Sequence, residues 1–270
     1  MPTSVAELAA IESYYDTVPR ASATAEQIGP FTLFVSSAPF PFYARPCLTS
    51  SGGATIGPAE ISAVRARQRE LGVPEAFEWV DELRPELGAV LRSAGLVVYR
   101  LPLMVHLGGE EPVPPPAVRI RMLTADDVDL PSVQVAIGLG FTAPGTAIGT
   151  VGDTERVTAE AAMSDAYGPT RERIAAGCVA LAGAFAGVGA VGGGSHSPRG
   201  EITEITGVAT LPAYRRRGIG AAVTARLTAD AVRGGVRTCF LSAGSPEVAR
   251  IYARAGFRRV GTACVAGAPA

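Results

Sequence analysis

The sequence predicts a mixed α/β fold, because segments with strand periodicity alternate with segments of helix periodicity along most of its 270 residues. Hydrophobic residues make up 47% of the chain, which is enough to build compact cores and argues against a disordered or collagen-like protein. A chain of this length accommodates two domains of ordinary size, and a proline-rich segment marks the place where they would join.

The first part of the chain, residues 1–108, is predicted to form an α/β domain. Alternating apolar residues favour strands, whereas apolar residues three and four positions apart favour helices. The predicted elements are a helix at 4–16, a strand at 30–36, helices at 58–71 and 78–94, and a long strand at 96–107. Phe77 and Trp79 are predicted to pack at the start of the helix at 78–94, and Trp79 is the one tryptophan of the chain.

The proline-rich segment at 109–116 is predicted to link this domain to a second one at 117–270. Its prolines cannot donate to a sheet or continue a helix, so they favour an extended spacer. The elements predicted for the second domain are strands at 117–123, 177–182, 183–191, 201–210, 237–242 and 257–265, and helices after 124–127 and at 153–166, 218–233 and 246–255.

The charge balance and the cysteines exclude several classes of protein. The formal net charge is −1, and all 24 basic residues are arginine, so no overall positive field favours nucleic acid. The four cysteines form no C-x-x-C pair and the chain has two histidines, so we expect no metal site and no disulfide framework. The acidic N-terminal segment is unlike a signal peptide, and we expect a cytoplasmic protein without membrane or nucleic-acid partners.

The longest uncharged segment, residues 175–197, is rich in glycine and alanine. Its length would suffice for a membrane span, but glycine in a helix costs about 1 kcal/mol relative to alanine, and larger apolar residues are few. It also contains G-x-G-x-x-G at 187–192, yet the Gly, Ser and Pro residues that follow would not form the helix that a dinucleotide site needs. We therefore predict a buried, glycine-rich β-hairpin.

Charged and flexible residues are concentrated in the turn between the strand at 201–210 and the helix at 218–233. This turn reads Arg215-Arg216-Arg217-Gly218-Ile219-Gly220. Glycines let a ligand approach the backbone, arginines supply donors for phosphate oxygens, and a helix start offers unpaired N–H groups and a positive dipole end. The turn is therefore suited to a pyrophosphate or a similar anion, and the alternative is an exposed basic turn before an ordinary helix.

Two sequence signatures in this half resemble those of the GNAT (N-acetyltransferase) superfamily, and the resemblance covers about residues 117–270. The first, [Q/R]-x-x-G-x-[G/A], corresponds to the turn at 215–220. The second, N-x-x-A-x-x-x-Y-x-x-x-G-F, corresponds to 245–257, with Ser245 where the family usually has asparagine. The resemblance implies an α/β fold with a mixed sheet, acetyl-CoA as cosubstrate and an amine as the acceptor of its acetyl group.

The resemblance also implies which residues hold acetyl-CoA. The pantetheine arm would pair with a strand backbone, and the pyrophosphate would bind the turn. The implied contacts are Val208, Ala209, Thr210, Arg215, Arg216, Arg217, Gly218, Ile219, Gly220 and Ser245. Tyr252 matches the family tyrosine that protonates the leaving thiolate, and a phenol with a pKa of about 10 can serve as that acid. The alternative for Tyr252 is an aromatic side chain that packs a helix.

A base must remove a proton from the attacking amine. One family arrangement places it on the strand after the pyrophosphate helix, where this chain has Phe240, and the other places it at Glu204, with Glu201 as the alternative. Both carboxylates could instead be exposed side chains of a half-solvated strand. Alternation puts Glu204 on the same face as Val208 and Thr210 unless a β-bulge intervenes.

The remaining reactive side chains are expected to have structural roles. His196 is expected in a mobile loop, because no acidic partner lies near it in the sequence. His106 is expected to be a core or edge histidine of a strand. Cys239 and Cys264 are flanked by apolar residues and are expected to pack in the core.

We therefore expect an acetyl-CoA-dependent N-acetyltransferase that works by direct attack in a ternary complex on a small-molecule or peptide amine. The alternatives are a catalytically weak CoA-binding regulatory module and the transfer of longer acyl groups. The first domain would be a degraded second copy of the fold, as in tandem GNAT proteins, or an unrelated α/β cap or dimerisation domain. GNAT proteins frequently dimerise, so a homodimer is among the expected states.

Overall fold

The computed structural model describes residues 5–36, 42–48, 56–108, 112–143, 145–162, 167–187 and 189–269. These residues form eight α-helices and eleven strands, and the strands include parallel and antiparallel neighbours. The predicted mixed α/β fold is therefore confirmed. Contacts divide the chain into two compact units, Met1–Leu103 with Val260–Ala270, and Met104–Arg259.

The first unit contains three helices and six strands or parts of strands. Its elements are α1 (Val5–Thr17), β1 (Thr24–Ile28), β2 (Phe31–Val35), β3 (Ala44–Pro46), α2 (Pro58–Glu70), β4 (Ala76–Val80), α3 (Leu87–Ser93), and parts of β5 (Val97–His106) and β11 (Phe257–Gly267). The strand order is β1-β2-β3-β4-β11-β5. Buried aromatic residues of β2 and β4 form the centre of its core, where the rings of Phe31 and Phe77 meet edge to face.

The helix predicted at 78–94 is wrong in its first half. Residues 76–80 form β4, and its side chains alternate so that Phe77 and Trp79 are fully buried. Trp79 lies opposite Cys264 of β11, and this burial between strands outweighs the helical spacing that the downstream leucines suggest. Strands β1 and β3 were not predicted, because their short segments carry no clear alternation of apolar and polar residues.

The second unit contains the remaining five helices. Its elements are the end of β5, β6 (Arg119–Leu123), α4 (Leu130–Thr142), α5 (Asp153–Ala162), α6 (Gly168–Ala175), β7 (Ala180–Ala186), β8 (Gly189–His196), β9 (Ile202–Thr210), α7 (Ile219–Arg233), β10 (Thr238–Ser242), α8 (Pro246–Arg254) and the start of β11. The strand order from β5 onward is β5-β10-β9-β8-β7-β6. No helix of the described residues is both long enough and apolar enough to cross a membrane.

The glycine-rich hairpin predicted in the segment 175–197 is confirmed as β7 and β8, although its turn lies later than predicted. The glycines allow α4 to lie close to these strands. A Cβ atom at Gly183 would be 2.6 Å from a methyl group of Val133, and one at Gly193 would be 2.7 Å from the other methyl group. Any larger residue at these two positions would separate α4 from the sheet. Of the glycines in the G-x-G-x-x-G segment, Gly192 lies against β9, where a Cβ would clash with the carbonyl oxygen of Ala209.

The two parts of the sequence repeat the same order of elements. In the first, antiparallel strands lead to β3, helix α2 and the parallel neighbour β4; in the second, they lead to β9, helix α7 and the parallel neighbour β10. A further helix and a long final strand follow in both. This order is the one that a duplicated fold predicts.

The contact division differs from the predicted boundaries at 1–108, 109–116 and 117–270. The end of β11 pairs antiparallel with β4, from Ala263 opposite Val80 to Gly267 opposite Ala76, and therefore belongs to the first unit. The long strand β5 likewise contributes residues to both units. The ends of β5 and β11 thus lie in the unit opposite to the one that the predicted boundaries give them, and the division into domains at 1–108 and 117–270 stays a prediction.

Candidate active site

Strand β9 separates from its parallel neighbour partway along its length. Pairing with β10 covers Ile202 to Glu204, and the last pair joins Glu204 to Phe240. Strand β9 then continues to Thr210, paired with β8 on its other edge. Among the described residues, 205–210 have no strand partner on the β10 side, so this edge can bind an extended ligand. The predicted pantetheine strand, residues 208–210, lies within it.

A β-bulge at Gly207 changes the direction of the side chains that follow it. Thr206 lies opposite Ser195 and Ala209 lies opposite Gly193, so two residues of β9 face one residue of β8. The bulge needs a left-handed backbone, and Gly207 has φ +64°. Side-chain alternation is therefore shifted by one position beyond the bulge.

The bulge places two of the three predicted pantetheine residues on the face of β9 opposite the predicted base. Ala209 faces α4, because its Cβ would lie 2.8 Å from a Cβ at Gly140. Val208 and Thr210 face the start of α7, within 4.0 Å of a Cβ at Gly220. Glu204, which precedes the bulge, shares the α4 face with Thr206. The bulge is the exception that the sequence analysis allowed for, so Val208 and Thr210 lie on the opposite face.

The turn before α7 presents a row of backbone N–H groups. Arg216 and Gly218 both adopt left-handed conformations, with φ of +63° and +83°. The N–H groups of residues 216–221 find no acceptor among the residues that the structure describes, whereas that of Ala222 bonds to Gly218. Successive amides in such a turn, together with the positive end of the helix dipole, form an anion-binding concavity.

The three arginines of the turn have different roles. The guanidinium of Arg215 donates to the carbonyls of Gly140 at 2.6 Å, Ala143 at 2.8 Å, Ala147 at 3.2 Å and Thr210 at 3.3 Å. Its own N–H bonds to Pro212. These contacts position the turn, and the predicted direct contact of Arg215 with phosphate stays a prediction.

Arg216 and Arg217 are both exposed. The Arg217 guanidinium lies over the Tyr214 ring, 4.9 Å from the centroid, and bonds to the carbonyl of Ala213. Arg216, by contrast, makes no side-chain hydrogen bond or ion pair with another described residue. Arg216 is therefore the cation of the turn best placed to meet a phosphate.

The segment between α4 and α5 holds the approach to the turn in place, and we call residues 145–152 the α4–α5 strap. Gly149 N–H donates to the carbonyl of Pro212 at 3.2 Å, and Ala213 N–H donates to that of Val151 at 3.0 Å. The Tyr214 hydroxyl donates to Asp153 at 2.6 Å, just beyond the strap. Sequence reasoning missed this connection, because the strap reads as an ordinary Gly- and Thr-rich linker.

Tyr252 lies on α8 and packs against the apolar cluster that contains Ile219 of α7 and Ile205 of β9. Its ring meets that of Phe257 edge to face, with centroids 6.0 Å apart. Burial raises the pKa of Tyr252 to about 12. The phenol therefore keeps its proton throughout the physiological range.

Ser245, which stands where the family has asparagine, caps helix α8. Its hydroxyl oxygen accepts from Val248 N–H at 3.3 Å and its hydroxyl donates to Glu247 at 2.8 Å. A serine at a helix N-cap typically stabilises the helix by about 1 kcal/mol. This cap gives Ser245 a structural role, and its contact with acetyl-CoA stays a prediction.

The two candidate bases differ in their surroundings. Glu204 is half-buried at the point where β9 and β10 separate. Glu201 lies before β9, its side chain is 64% exposed, and its carboxylate pairs with Arg237 at 3.0 Å. The geometry therefore favours Glu204.

His196 is the last residue of β8 and is buried, so the expected mobile loop is wrong. Its Nδ1 lies 3.2 Å from the Thr203 hydroxyl and its Nε2 lies 3.3 Å from a carboxylate oxygen of Asp230. Asp230 comes from α7, far away in the sequence, so no local signal could reveal it. Burial lowers the pKa of His196, and the hydrogen bond to Asp230 opposes this shift.

Protonation of His196 is expected to destabilise the fold. Because its pKa is lowered in the folded state, the unfolded chain binds more protons below about pH 6.5, the ordinary pKa of histidine, and stability falls as the pH falls. We expect the Tm to decrease more steeply from pH 7.5 to 5.5 in the wild type than in His196→Gln, measured by thermal unfolding. Equal slopes would contradict this role.

The other reactive groups are placed as follows. Burial raises the pKa of the Cys239 thiol to about 11 and that of Cys264 to about 12, so both stay protonated and unreactive. The ring of His106 lies beside that of Phe257, with centroids 5.1 Å apart. Across the described residues, no group of three or more His, Cys, Asp or Glu side chains is arranged to hold a metal ion.

An anion-binding helix start beside an open strand edge defines an α/β unit suited to a ligand with a diphosphate and an extended arm. Residues 174–259 match the family model described as "Acetyltransferase (GNAT) domain". This part of the chain is therefore similar to a GNAT acetyltransferase domain, and the resemblance seen in the sequence is confirmed.

Solved structures show that this fold extends over nearly the whole chain. A GCN5-related N-acetyltransferase from Kribbella flavida is 22% identical, with a TM-score of 0.71 over 97% of this chain and 96% of that one. A GCN5-related N-acetyltransferase from Sphaerobacter thermophilus is 17% identical, with a TM-score of 0.56 over 98% and 93%. A tandem GNAT protein from the clavulanic acid biosynthesis pathway is 16% identical, with a TM-score of 0.53 over 89% and 79%. No curated protein matches the chain in sequence.

Proposed function

We propose that the protein is an N-acetyltransferase that transfers the acetyl group of acetyl-CoA to an amine by direct attack in a ternary complex. The observation that carries this proposal is the row of N–H groups at 216–221 beside the open edge of β9. A diphosphate on the first and an extended pantetheine on the second would place a thioester near Glu204. The acceptor is proposed to be a small-molecule or peptide amine.

The turn and the strand edge fit acetyl-CoA in chemistry and in shape. The amides of 216–221 and the exposed guanidinium of Arg216 supply donors for the diphosphate. A Cβ at Gly220 would be in van der Waals contact with Val208 at 3.9 Å and Thr210 at 4.0 Å, so the glycine keeps the backbone of the helix start accessible beside β9. The backbone of residues 208–210 would pair with the amide groups of the pantetheine arm.

Glu204 is proposed to act as the base, directly or through a water molecule. It removes a proton as the amine nitrogen attacks the thioester carbonyl carbon, so that a C–N bond forms and the C–S bond then breaks. The electron pair of the C–S bond leaves on sulfur as a thiolate. The buried thiols Cys239 and Cys264 are unreactive, which agrees with direct attack in place of an acyl-enzyme.

Tyr252 is proposed to stabilise that thiolate by donating a hydrogen bond to it. An ordinary thiol has a pKa of about 8.5, and one pKa unit corresponds to about 1.4 kcal/mol. With its pKa raised to about 12, Tyr252 would give up its proton to the sulfur only at a substantial energetic cost. Its O–H group is therefore better suited to hydrogen bonding than to complete proton transfer.

Replacing Tyr252 with phenylalanine is expected to lower kcat by about tenfold to a hundredfold, because a hydrogen bond to a charged group contributes about 1.5–3 kcal/mol. The Kd for acetyl-CoA should stay unchanged, since the ring and its packing against Phe257 remain. In the wild type, deprotonation of Tyr252 should cause no loss of activity below pH 10, because its pKa is raised to about 12. Unaltered turnover in Tyr252→Phe would remove Tyr252 from the reaction.

The function itself is tested by two measurements on the full chain. Titration calorimetry should show binding of CoA, and thiol detection should show CoA release from acetyl-CoA that depends on an added amine. Binding without amine-dependent release from any amine would favour the alternative of a CoA-responsive regulatory module. Absence of CoA binding at millimolar concentration would overturn both.

A further inference from the structure

A cleft opens on the α4 face of β9, next to the bulge. It has a volume of about 370 Å³ and is lined by Gln134, Ile137, Tyr167, Leu181, Ser195 and Gly207, with Gly138 at its rim. These residues come from α4, the start of α6 and strands β7, β8 and β9. The cleft is separate from the turn at 215–220, which leads into α7 on the other face of β9.

The position of this cleft links it to the proposed base. Gly207 is the bulge residue itself, and the Ser195 hydroxyl lies 3.1 Å from that of Thr206. Thr206 and Glu204 precede the bulge and share the α4 face of the strand. An amine bound in the cleft would therefore reach β9 from the side on which Glu204 lies, opposite the face of Val208 and Thr210.

The lining of the cleft carries hydrogen-bonding groups but no charged side chain among the described residues. Gln134 donates its amide to Thr170 at 2.9 Å, and its carbonyl oxygen remains a potential acceptor. Burial raises the pKa of Tyr167, so its phenol is neutral, and Glu160, which contributes to this shift, pairs with Arg156 at 2.8 Å. Ile137 and Leu181 supply the apolar part of the lining.

This lining limits the chemistry of what can bind. Among the described lining residues, a carboxylate or phosphate would find no cationic partner in exchange for its lost water, and an additional ammonium group would find no acidic one. An uncharged, partly apolar body meets neither penalty, and its hydroxyl or amide groups could bond to Gln134 or Ser195. The reacting amine is the exception, since it loses its proton to Glu204.

We infer that this cleft is the acceptor site and that it selects a primary monoamine carried on an uncharged, partly apolar body. Free amino acids, phosphorylated amines and polycationic amines such as aminoglycosides are then poor acceptors. This inference rests on the proposed function, because it assumes that acetyl-CoA occupies the open edge of β9. It goes further in naming the acceptor class and the side chains that select it.

The acceptor class is tested with three matched amines. 2-Phenylethylamine carries the predicted body, phenylalanine adds a carboxylate to it, and 1,5-diaminopentane carries a second ammonium group. We expect kcat/KM to be at least about tenfold higher for 2-phenylethylamine, the factor that corresponds to 1.4 kcal/mol. Equal values, or a preference for either charged amine, would overturn the inference while leaving the transferase intact.

The location is tested by filling the cleft. A Cβ at Gly138 has no atom within 4 Å, and the residue lies in helix α4, so Gly138→Leu should fold and occupy the cleft. We expect the KM for 2-phenylethylamine, and its Kd in the presence of CoA, to rise at least tenfold while the Kd for CoA stays constant. Ala9→Leu, at an exposed position of α1, is the matched control and should change neither value.

A charge change provides the second variant. Gln134→Glu keeps the shape of the side chain and adds a carboxylate, so it should shift the ratio of kcat/KM values toward 1,5-diaminopentane by about tenfold. Unchanged amine binding in Gly138→Leu together with an unchanged ratio in Gln134→Glu would show that acceptors bind elsewhere. If the wild-type protein does not bind CoA, by contrast, the proposed function itself is overturned.

Discussion

Replacing Glu204 with glutamine is expected to lower kcat by a factor of about 10²–10⁴, the usual contribution of a general base. Glutamine has the same shape but cannot accept the proton of the attacking amine. Glu204 lies where β9 and β10 separate, on the α4 face of the strand, which is also the face of the proposed acceptor cleft. The measurement is amine-dependent CoA release at saturating concentrations of both substrates, with the Kd for acetyl-CoA, which should not change, determined by calorimetry.

Glu201→Gln is the matched control for this prediction. Its carboxylate is 64% exposed and pairs with Arg237, so the same substitution there should change kcat by no more than about twofold. A larger loss in Glu201→Gln than in Glu204→Gln would transfer the role of base to Glu201. Equal, small effects in both variants would show that neither carboxylate removes the proton.

Replacing Arg215 with alanine is expected to raise the Kd for acetyl-CoA by at least about tenfold and to lower the Tm. The Arg215 guanidinium bonds to four carbonyl groups, one at the end of β9 and the others at the end of α4 and beyond it. Each hydrogen bond from a charged donor contributes about 1.5–3 kcal/mol, and 1.4 kcal/mol corresponds to a tenfold change in Kd. Arg215→Lys should recover only part of the loss, because an ammonium group cannot reproduce the planar fork of donors.

Arg216→Gly is the comparison that separates positioning from direct charge. Arg216 is exposed and has φ +63°, so glycine removes the charge without lowering the Tm. Its effect on the Kd for acetyl-CoA should shrink as the salt concentration rises, whereas the effect of Arg215→Ala should persist. An identical dependence on salt in both variants would contradict the positioning role of Arg215.

The parts of the molecule that depend on local sequence were predicted well. The helix at 218–233, the strand at 201–210 and the turn between them follow from apolar spacing and from two glycines within a few residues of each other. The glycine-rich hairpin was also recognised from composition, because interior glycines oppose a helix. The two family signatures, at 215–220 and 245–257, are likewise short segments that can be read without knowledge of the fold.

The features of the candidate site that sequence reasoning missed depend on contacts between distant residues. The bulge at Gly207 becomes apparent only once β9 pairs with β8. The partner of His196 lies on another element, and the carbonyl partners of Arg215 lie more than 60 residues before it in the chain, apart from Thr210. Neither spacing nor composition reports such partners, so the roles of these side chains could be assigned only from the fold.

The pairing of β11 with β4 has a consequence for how the protein is made. Cys264 and Ala266, close to the C-terminus, belong to the same core as Phe31 and Trp79 near the N-terminus. The ribosome makes Cys264 and Ala266 long after Phe31 and Trp79, so this core stays incomplete until β11 has been synthesised. Contacts between such distant residues slow folding, and the newborn chain keeps an apolar strand edge exposed until then.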